Sequence, residues 1–232
     1  MTQPRDHPRA GIGAESEHPL VQLFADLARG TYPPANGRTI AMPAPAGAAA
    51  AVLAFTAHCV VAADVDPAWV ASQCPEGDLS RAFSPSFLSA LAARTGTRAG
   101  AQDLVLAAPG LREESDDEDG EPLILMPGPD EHPRAQRAYR MRSGVRVYRT
   151  VDGHGLLALG RGLAGRWEAG FEVAPDARGR GIGRRLARGA RHLIGPDETL
   201  FLQVAVGNVA SLRACLAAGF APVGGEMLFT RP

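Results

Sequence analysis

The chain contains no lysine; all 24 of its basic residues are arginine. A phosphate loop of the Gly-Lys-Ser/Thr type is excluded by that absence alone. Arginine-only usage, with 27 glycines and 19 prolines, looks like the coding bias of a GC-rich genome. Cysteine is scarce: Cys59, Cys74 and Cys215 form no CxxC pair and no Cys/His cluster. An odd count argues against a disulfide framework, and no metal site is expected. The first residues include no apolar stretch of the signal-peptide kind. Residues 46–63 lack formal charge but include Thr56 and His58, and read as a buried strand or hairpin rather than a membrane span. The expectation is a reduced, cytoplasmic protein without a membrane partner.

Net charge is only −1, yet the two halves differ sharply. Residues 1–133 carry 18 acidic and 8 basic side chains, and the remainder carries 7 and 16. A basic half attracts polyanions, which include both nucleic acid and phosphorylated cofactors.

Residues 1–17 are polar and Pro-containing and read as a disordered tail. Leu20, Leu23, Phe24 and Leu27 fall on one helical face between Pro19 and Gly30. Residues 52–63 are strand-like, 84–96 predict a helix capped by Ser84 and stopped by Gly96, and 103–108 predict a strand. Residues 112–121 hold seven acidic side chains and read as a solvated linker. The expected organisation is an N-terminal α/β module over 18–110, an acidic and Pro-rich linker over 111–130, and a second domain over 131–232. In that domain a helix (133–142) precedes three strands (145–150, 155–162, 166–173) joined through glycines, an antiparallel meander. Helix, strand, helix and a last strand or hairpin follow. The fold class is α/β (α+β): a mixed, mostly antiparallel sheet with flanking helices.

"VAPDARGRGIGRRLARGARHL" (173–193) is the most informative stretch. Pro175 ends a strand near Val173, and a helix starts near Gly181. Ile182, Leu186, Ala190, Leu193 and Ile194 share one helical face, and Arg184, Arg188 and Arg191 lie on another. Gly179, Gly181 and Gly183 leave backbone N–H groups unobstructed where the helix dipole is positive, which suits a phosphate or pyrophosphate. An arginine-rich nucleic-acid helix and an ordinary flexible turn compete with that reading. The spacing G-x-G-x-G is not the dinucleotide fingerprint.

Arg178-x-x-Gly181-x-Gly183 after "V-x-P" resembles the acyl-CoA signature of the GNAT acetyltransferase family, and a second motif supports it. Asn208, Ser211, Cys215 and Gly219-Phe220 stand where family members show Asn, a small residue, Tyr and Gly-Phe. The resemblance spans about residues 130–230. It implies an N-acetyltransferase that takes acetyl-CoA (coenzyme A) and a primary amine of a small molecule or peptide. The implied coenzyme-binding residues are Phe171, Val173, Arg178, Gly179, Arg180, Gly181, Ile182, Gly183, Arg184, Asn208 and Ser211. It also implies that the strand ending at Val173 and the strand through 203–206 splay apart to admit the pantetheine arm. Nucleic acid is not an expected partner, because the arginines are not interleaved with aromatics; a homodimer is compatible with the sequence.

Two positions depart from the family pattern. Cys215 replaces the Tyr that protonates the leaving thiolate, and Gln203 stands where N-terminal acetyltransferases carry a basic Glu. Cys215 is a candidate acid or a packed hydrophobe; Glu168, Glu172, His154 and His192 are candidate bases. The rival to an enzyme is a non-catalytic acyl-CoA-binding sensor or structural protein. The N-terminal half, without a glycine cradle, reads as a degenerate copy of the fold, a substrate cap or a dimerisation piece.

Overall fold

The computed structural model describes residues 18–45, 50–112 and 122–231. The tail expected over 1–17 lies outside them, as does the acidic stretch from residue 113 to 121. Helix α1 (Pro19–Ala28) is capped by His18, whose Nδ1 accepts the Leu20 N–H, and buries Leu20, Phe24 and Leu27. Strand β1 (Arg38–Met42) follows. The charge-free run then folds as a hairpin, β2 (Ala50–Phe55) and β3 (His58–Ala62), turning at Ala57 with φ 51°. Helix α2 (Pro67–Gln73) is capped by Asp66. Helix α3 (Pro85–Thr95) begins with the Ser84 side chain accepting the Phe87 N–H and stops at Gly96, φ 65°. Strand β4 (Arg98–Pro109) is twelve residues long.

The second half contains β5 (Leu123–Leu125), α4 (Pro133–Met141) and the meander β6 (Ser143–Thr150), β7 (Gly155–Arg161) and β8 (Trp167–Val173). Helix α5 (Ile182–His192), β9 (Thr199–Ala205), α6 (Val209–Ala217) and β10 (Ala221–Thr230) complete it, the last as one strand. Short β1, α2 and β5 are the elements that sequence pattern did not reveal. Each is seven residues or fewer, below the length at which periodicity becomes legible.

Among the described residues, ten strands join one sheet in the order β1-β3-β2-β10-β4-β9-β8-β7-β6-β5. Only β1/β3 and β8/β9 pair in parallel. The acidic stretch divides the sequence, but the sheet runs through both halves. Strand β4 is inserted between β9 and β10, so that Asp103 stands opposite Ala205 on one side and Glu226 on the other.

Strand alternation distributes the core over two faces. Leu106, Leu157, Leu159, Leu200 and Leu202 meet Ile182, Leu186 and Ala190 of α5. Val52, Val61 and Phe229 meet Phe87 and Leu91 of α3 on that same face. On the opposite face, Leu53, Val105 and Phe201 meet α1, and Val147, Leu156 and Ala158 meet Ala135 and Ala138 of α4.

One assignment on α5 is corrected. Arg191 does not lie on an outer arginine face; it is 7% exposed. Its Nε donates to the Pro109 carbonyl at 2.9 Å and Nη1 to the Ala218 carbonyl at 2.7 Å, tying together α5, the end of β4 and the end of α6. A buried guanidinium is tolerable because backbone carbonyls satisfy it.

Candidate active site

Pairing between β8 and β9 covers only Trp167–Leu200, Glu168–Phe201 and Ala169–Leu202. Beyond Ala169, β8 continues beside β7 to Val173 while β9 continues beside β4 to Ala205. The two strands therefore part in a V, and a cleft of ≈ 420 Å3 opens there. Gly170, Phe171, Glu172, Gln203, Asn208, Ser211 and Cys215 line it from the strands and α6. Arg134, Arg137 and Arg142 line it from α4, and Ala101 and Asp103 from β4.

A guanidinium closes the vertex of the V. Arg142 donates from Nε to Glu168 Oε2 at 3.1 Å and from Nη2 to Gln203 Oε1 at 3.3 Å. Arg166 donates to Glu168 Oε1 at 2.9 Å and forks onto both oxygens of Glu226 at 2.9 and 2.8 Å. Arg166, Glu168 and Glu226 are 5%, 3% and 0% exposed. Burial opposes ionisation of Glu168, but Arg166 and Arg142 together outweigh it and hold the carboxyl at about 2. Burial, reinforced by the charge of Glu168, pushes Glu226 up. Gly162 is a glycine because a Cβ there would collide with the Glu168 carboxylate.

The glycine turn follows β8; none of its residues lines the cleft, but Gly183 at its end packs beside Phe171, which does. Gly179 and Gly181 have φ of 78° and 79°, left-handed backbone that favours glycine. Gly181 is the N-cap of α5, and no side chain caps that helix. His18, Asp66, Ser84, His132 and Asn208 do cap α1, α2, α3, α4 and α6. The first turn of α5 thus has no capping side chain opposing its amides or the positive end of its dipole, the arrangement an anion requires. Gly183 has a different geometry: a Cβ there would lie 3.4 Å from Phe171 and 3.6 Å from Ala214. Its bare Cα lets α5 approach β8 and α6 closely. Arg178 and Arg180 fold back on the loop, donating to the carbonyls of Val173 and Asp176. Ile182 is buried, and Arg184 is exposed at the first turn.

The model of the Acetyltransferase (GNAT) family matches residues 128–220. Those residues are a GNAT-family domain. A GNAT-family acetyltransferase structure from Novosphingobium aromaticivorans is similar over 59% of this chain and 68% of its own, at 20% identity and TM-score 0.43. One from Colwellia psychrerythraea covers 66% of this chain and 63% of its own, at 13% identity and TM-score 0.36. One from Kribbella flavida covers 95% and 96%, at 15% identity and TM-score 0.40. No curated protein matches the chain.

Within the GNAT domain the sequence-derived residues separate by environment. Asn208 Oδ1 accepts the Ser211 N–H at 3.1 Å and caps α6 beside the cleft. Glu172 lies half-exposed on the cleft wall, 3.5 Å from Arg134 Nε. Glu168 has its carboxylate engaged by two guanidiniums, and a group held at about 2 is no proton acceptor near neutral pH. Its candidacy as base therefore fails on electrostatics. Cys215 is 0% exposed within the α5–α6 core, and burial pushes its thiol up to about 12. A thiol that weakly acidic is a poor proton donor to a departing thiolate. His154 and His192 are not among the residues lining the cleft.

Gln203 has a reason in charge balance. Arg142 and Arg166 already match Glu168 and Glu226, so a glutamate at 203 would add an unmatched carboxylate beside a buried network.

The charged cleft residues of α4 and β4 escaped the sequence reading, among them Arg134 and Arg137. Arg142 ends α4 outside any motif, and Asp103 lies in the other half of the chain. Only the strand order brings them to the same opening. Among the described residues, no group of three or more His, Cys, Asp or Glu side chains could hold a metal ion. No described helix is long and apolar enough to cross a membrane.

Proposed function

We propose that the protein transfers the acetyl group of acetyl-CoA to a primary amine of a small molecule or peptide. The observation that carries this reading is the parting of β8 and β9 beside the uncapped N-terminus of α5. The amides at Gly181, Ile182 and Gly183 receive the pyrophosphate, with Arg178, Arg180 and Arg184 supplying positive charge around it. The pantetheine arm lies between the separated strands, along Phe171–Val173 on one side and Asn208 and Ser211 on the other. Backbone groups of β8 beyond Ala169, released from pairing with β9, polarise the thioester carbonyl. The amine enters from the α4 face, and holding it against the thioester supplies much of the rate acceleration.

Calorimetric titration with coenzyme A tests the cradle. Wild-type protein binds, and Gly181→Val weakens binding at least tenfold by forcing a Cβ into left-handed backbone over the amides. Equal affinity of folded wild type and variant removes the pyrophosphate assignment.

A non-catalytic acyl-CoA-binding role is the second reading. It is favoured by Gln203 and by the buried, weakly acidic Cys215 at the family's two acid–base positions. Thiol release from acetyl-CoA in the presence of amines separates the two: binding without release selects the sensor.

A further inference from the structure

The cleft has two sides. Helices α5 and α6 pack on one face of the sheet, while α4 and Asp103 reach the cleft from the other. Asp103 belongs to that second face by register: it stands opposite Ala205, two residues from Val105 opposite Gln203. It comes from the N-terminal half and enters the GNAT cleft only because β4 is inserted between β9 and β10.

The charged groups on this wall are already committed, with one exception. Arg142 is held by Glu168 and Gln203, and Arg134 stands with Glu172. Arg137, exposed on α4, lines the same cleft as Asp103 and makes no hydrogen bond to a described residue, although its charge acts on that carboxylate. An unbridged carboxylate and guanidinium across a cleft form the complement of a zwitterion. Ala101, Met141 and Leu228 line the same cleft and offer an apolar surface for a side chain.

We propose that Asp103 and Arg137 form the acceptor subsite, which takes a primary amine bearing its own carboxylate, the ammonium against Asp103 and the carboxylate against Arg137. This rests on the acetyl-transfer reading above. Asp103 accepts one ammonium proton, and the freed lone pair forms the N–C bond to the thioester carbon. The C–S bond then breaks, the coenzyme leaves as a thiolate, and the second nitrogen proton passes to it. Asp103 returns its proton to solvent. Burial raises the Asp103 carboxyl and Arg137 partly offsets that rise, a balance suited to a proton acceptor. Glu226 on β10 is its cross-strand neighbour and Gln203 on β9 is neutral.

The test is an acetyl-CoA assay on paired amines: L-phenylalanine against phenethylamine, L-leucine against isoamylamine, L-methionine against 3-methylthiopropylamine. The carboxylated member of at least one pair has the higher kcat/KM, by roughly tenfold or more. Arg137→Gln abolishes that preference by raising KM for the acid alone. Asp103→Asn lowers kcat by about 10²-fold or more and removes the acidic limb of the pH–rate profile, and Asp103→Glu restores part of both. Both variants retain coenzyme A binding by calorimetry and the wild-type melting profile. Preference for the plain amines overturns the subsite, as does an Asp103→Asn enzyme with wild-type kcat and pH profile. Coenzyme binding without transfer to or retention of any panel member also overturns it. Failure of the wild type to bind coenzyme A overturns the acetyl-transfer reading first, and is distinguished by that binding step.

Discussion

Arg142 Nη2 donates to Gln203 Oε1 at 3.3 Å, joining the end of α4 to β9 at the point where β8 turns away. The same nitrogen reaches the carbonyl of Ala169, the last residue of β8 paired with β9. The guanidinium therefore lies on the α4 face of the sheet and spans the two strands where their pairing ends. It acts as a wedge, and its charge is matched by Glu168.

Removing the wedge leaves the buried carboxylates with one guanidinium instead of two. Arg142→Leu is expected to destabilise the fold by about 3 kcal/mol, the scale of breaking a buried ion pair. Urea unfolding measures this, and Glu168→Gln in the same chain recovers part of the loss because the two sites are coupled. Simple additivity of the two changes would show that the contact carries no energy.

Acid stability follows from Glu168. Its folded carboxyl, at about 2, lies below the ordinary glutamate value of 4.5. Its contribution is complete above the unfolded value and is lost as pH falls toward 2, because the unfolded chain takes up a proton that the folded one refuses. Between pH 4.5 and 2.5, wild-type unfolding free energy should fall more steeply than that of Glu168→Gln. Parallel slopes would assign the acid loss to other carboxylates.

Cys215 is expected to be a packing residue. Its thiol, at about 12, stays protonated and buried against the α5–α6 core, although the residue borders the cleft. Cys215→Ala should cost about 1 kcal/mol of stability while acetyl transfer changes less than twofold. Native protein at pH 8 should also leave this thiol unmodified by an aromatic disulfide reagent. A hundredfold drop in turnover with an unchanged melt would restore it as the acid.

Gly219 is tied to Arg191 by close approach. Its φ is +85°, and a Cβ would stand 2.7 Å from Arg191 Nη1. Gly219→Ala should therefore cost about 3 kcal/mol, combining left-handed strain with displacement of a buried donor. Chemical denaturation checks the value. A loss below about 1 kcal/mol would mean that neither constraint is felt.

Much of the local structure in both halves is readable along the chain. Ser84, Gly96, Asn208 and the meander glycines act on neighbours a few residues away, and Pro175 ends β8 by its missing N–H. The glycine–arginine turn at the head of α5 is equally local in sequence, while the left-handed conformations of Gly179 and Gly181 come from the structure. Other features depend on residues far apart in sequence. Glu168 reads as an ordinary strand carboxylate until Arg142, Arg166 and Glu226 surround it. Arg191 reads as an outward-facing helix arginine until Pro109 and Ala218 offer it carbonyls. Asp103 is an acidic residue at the head of an apolar strand until β4 is placed between β9 and β10. Periodicity, caps and turns are set within a few residues and can be read from order alone. Which strand lies beside which, and which charges meet across them, was decided by packing among residues tens of positions to more than a hundred positions apart.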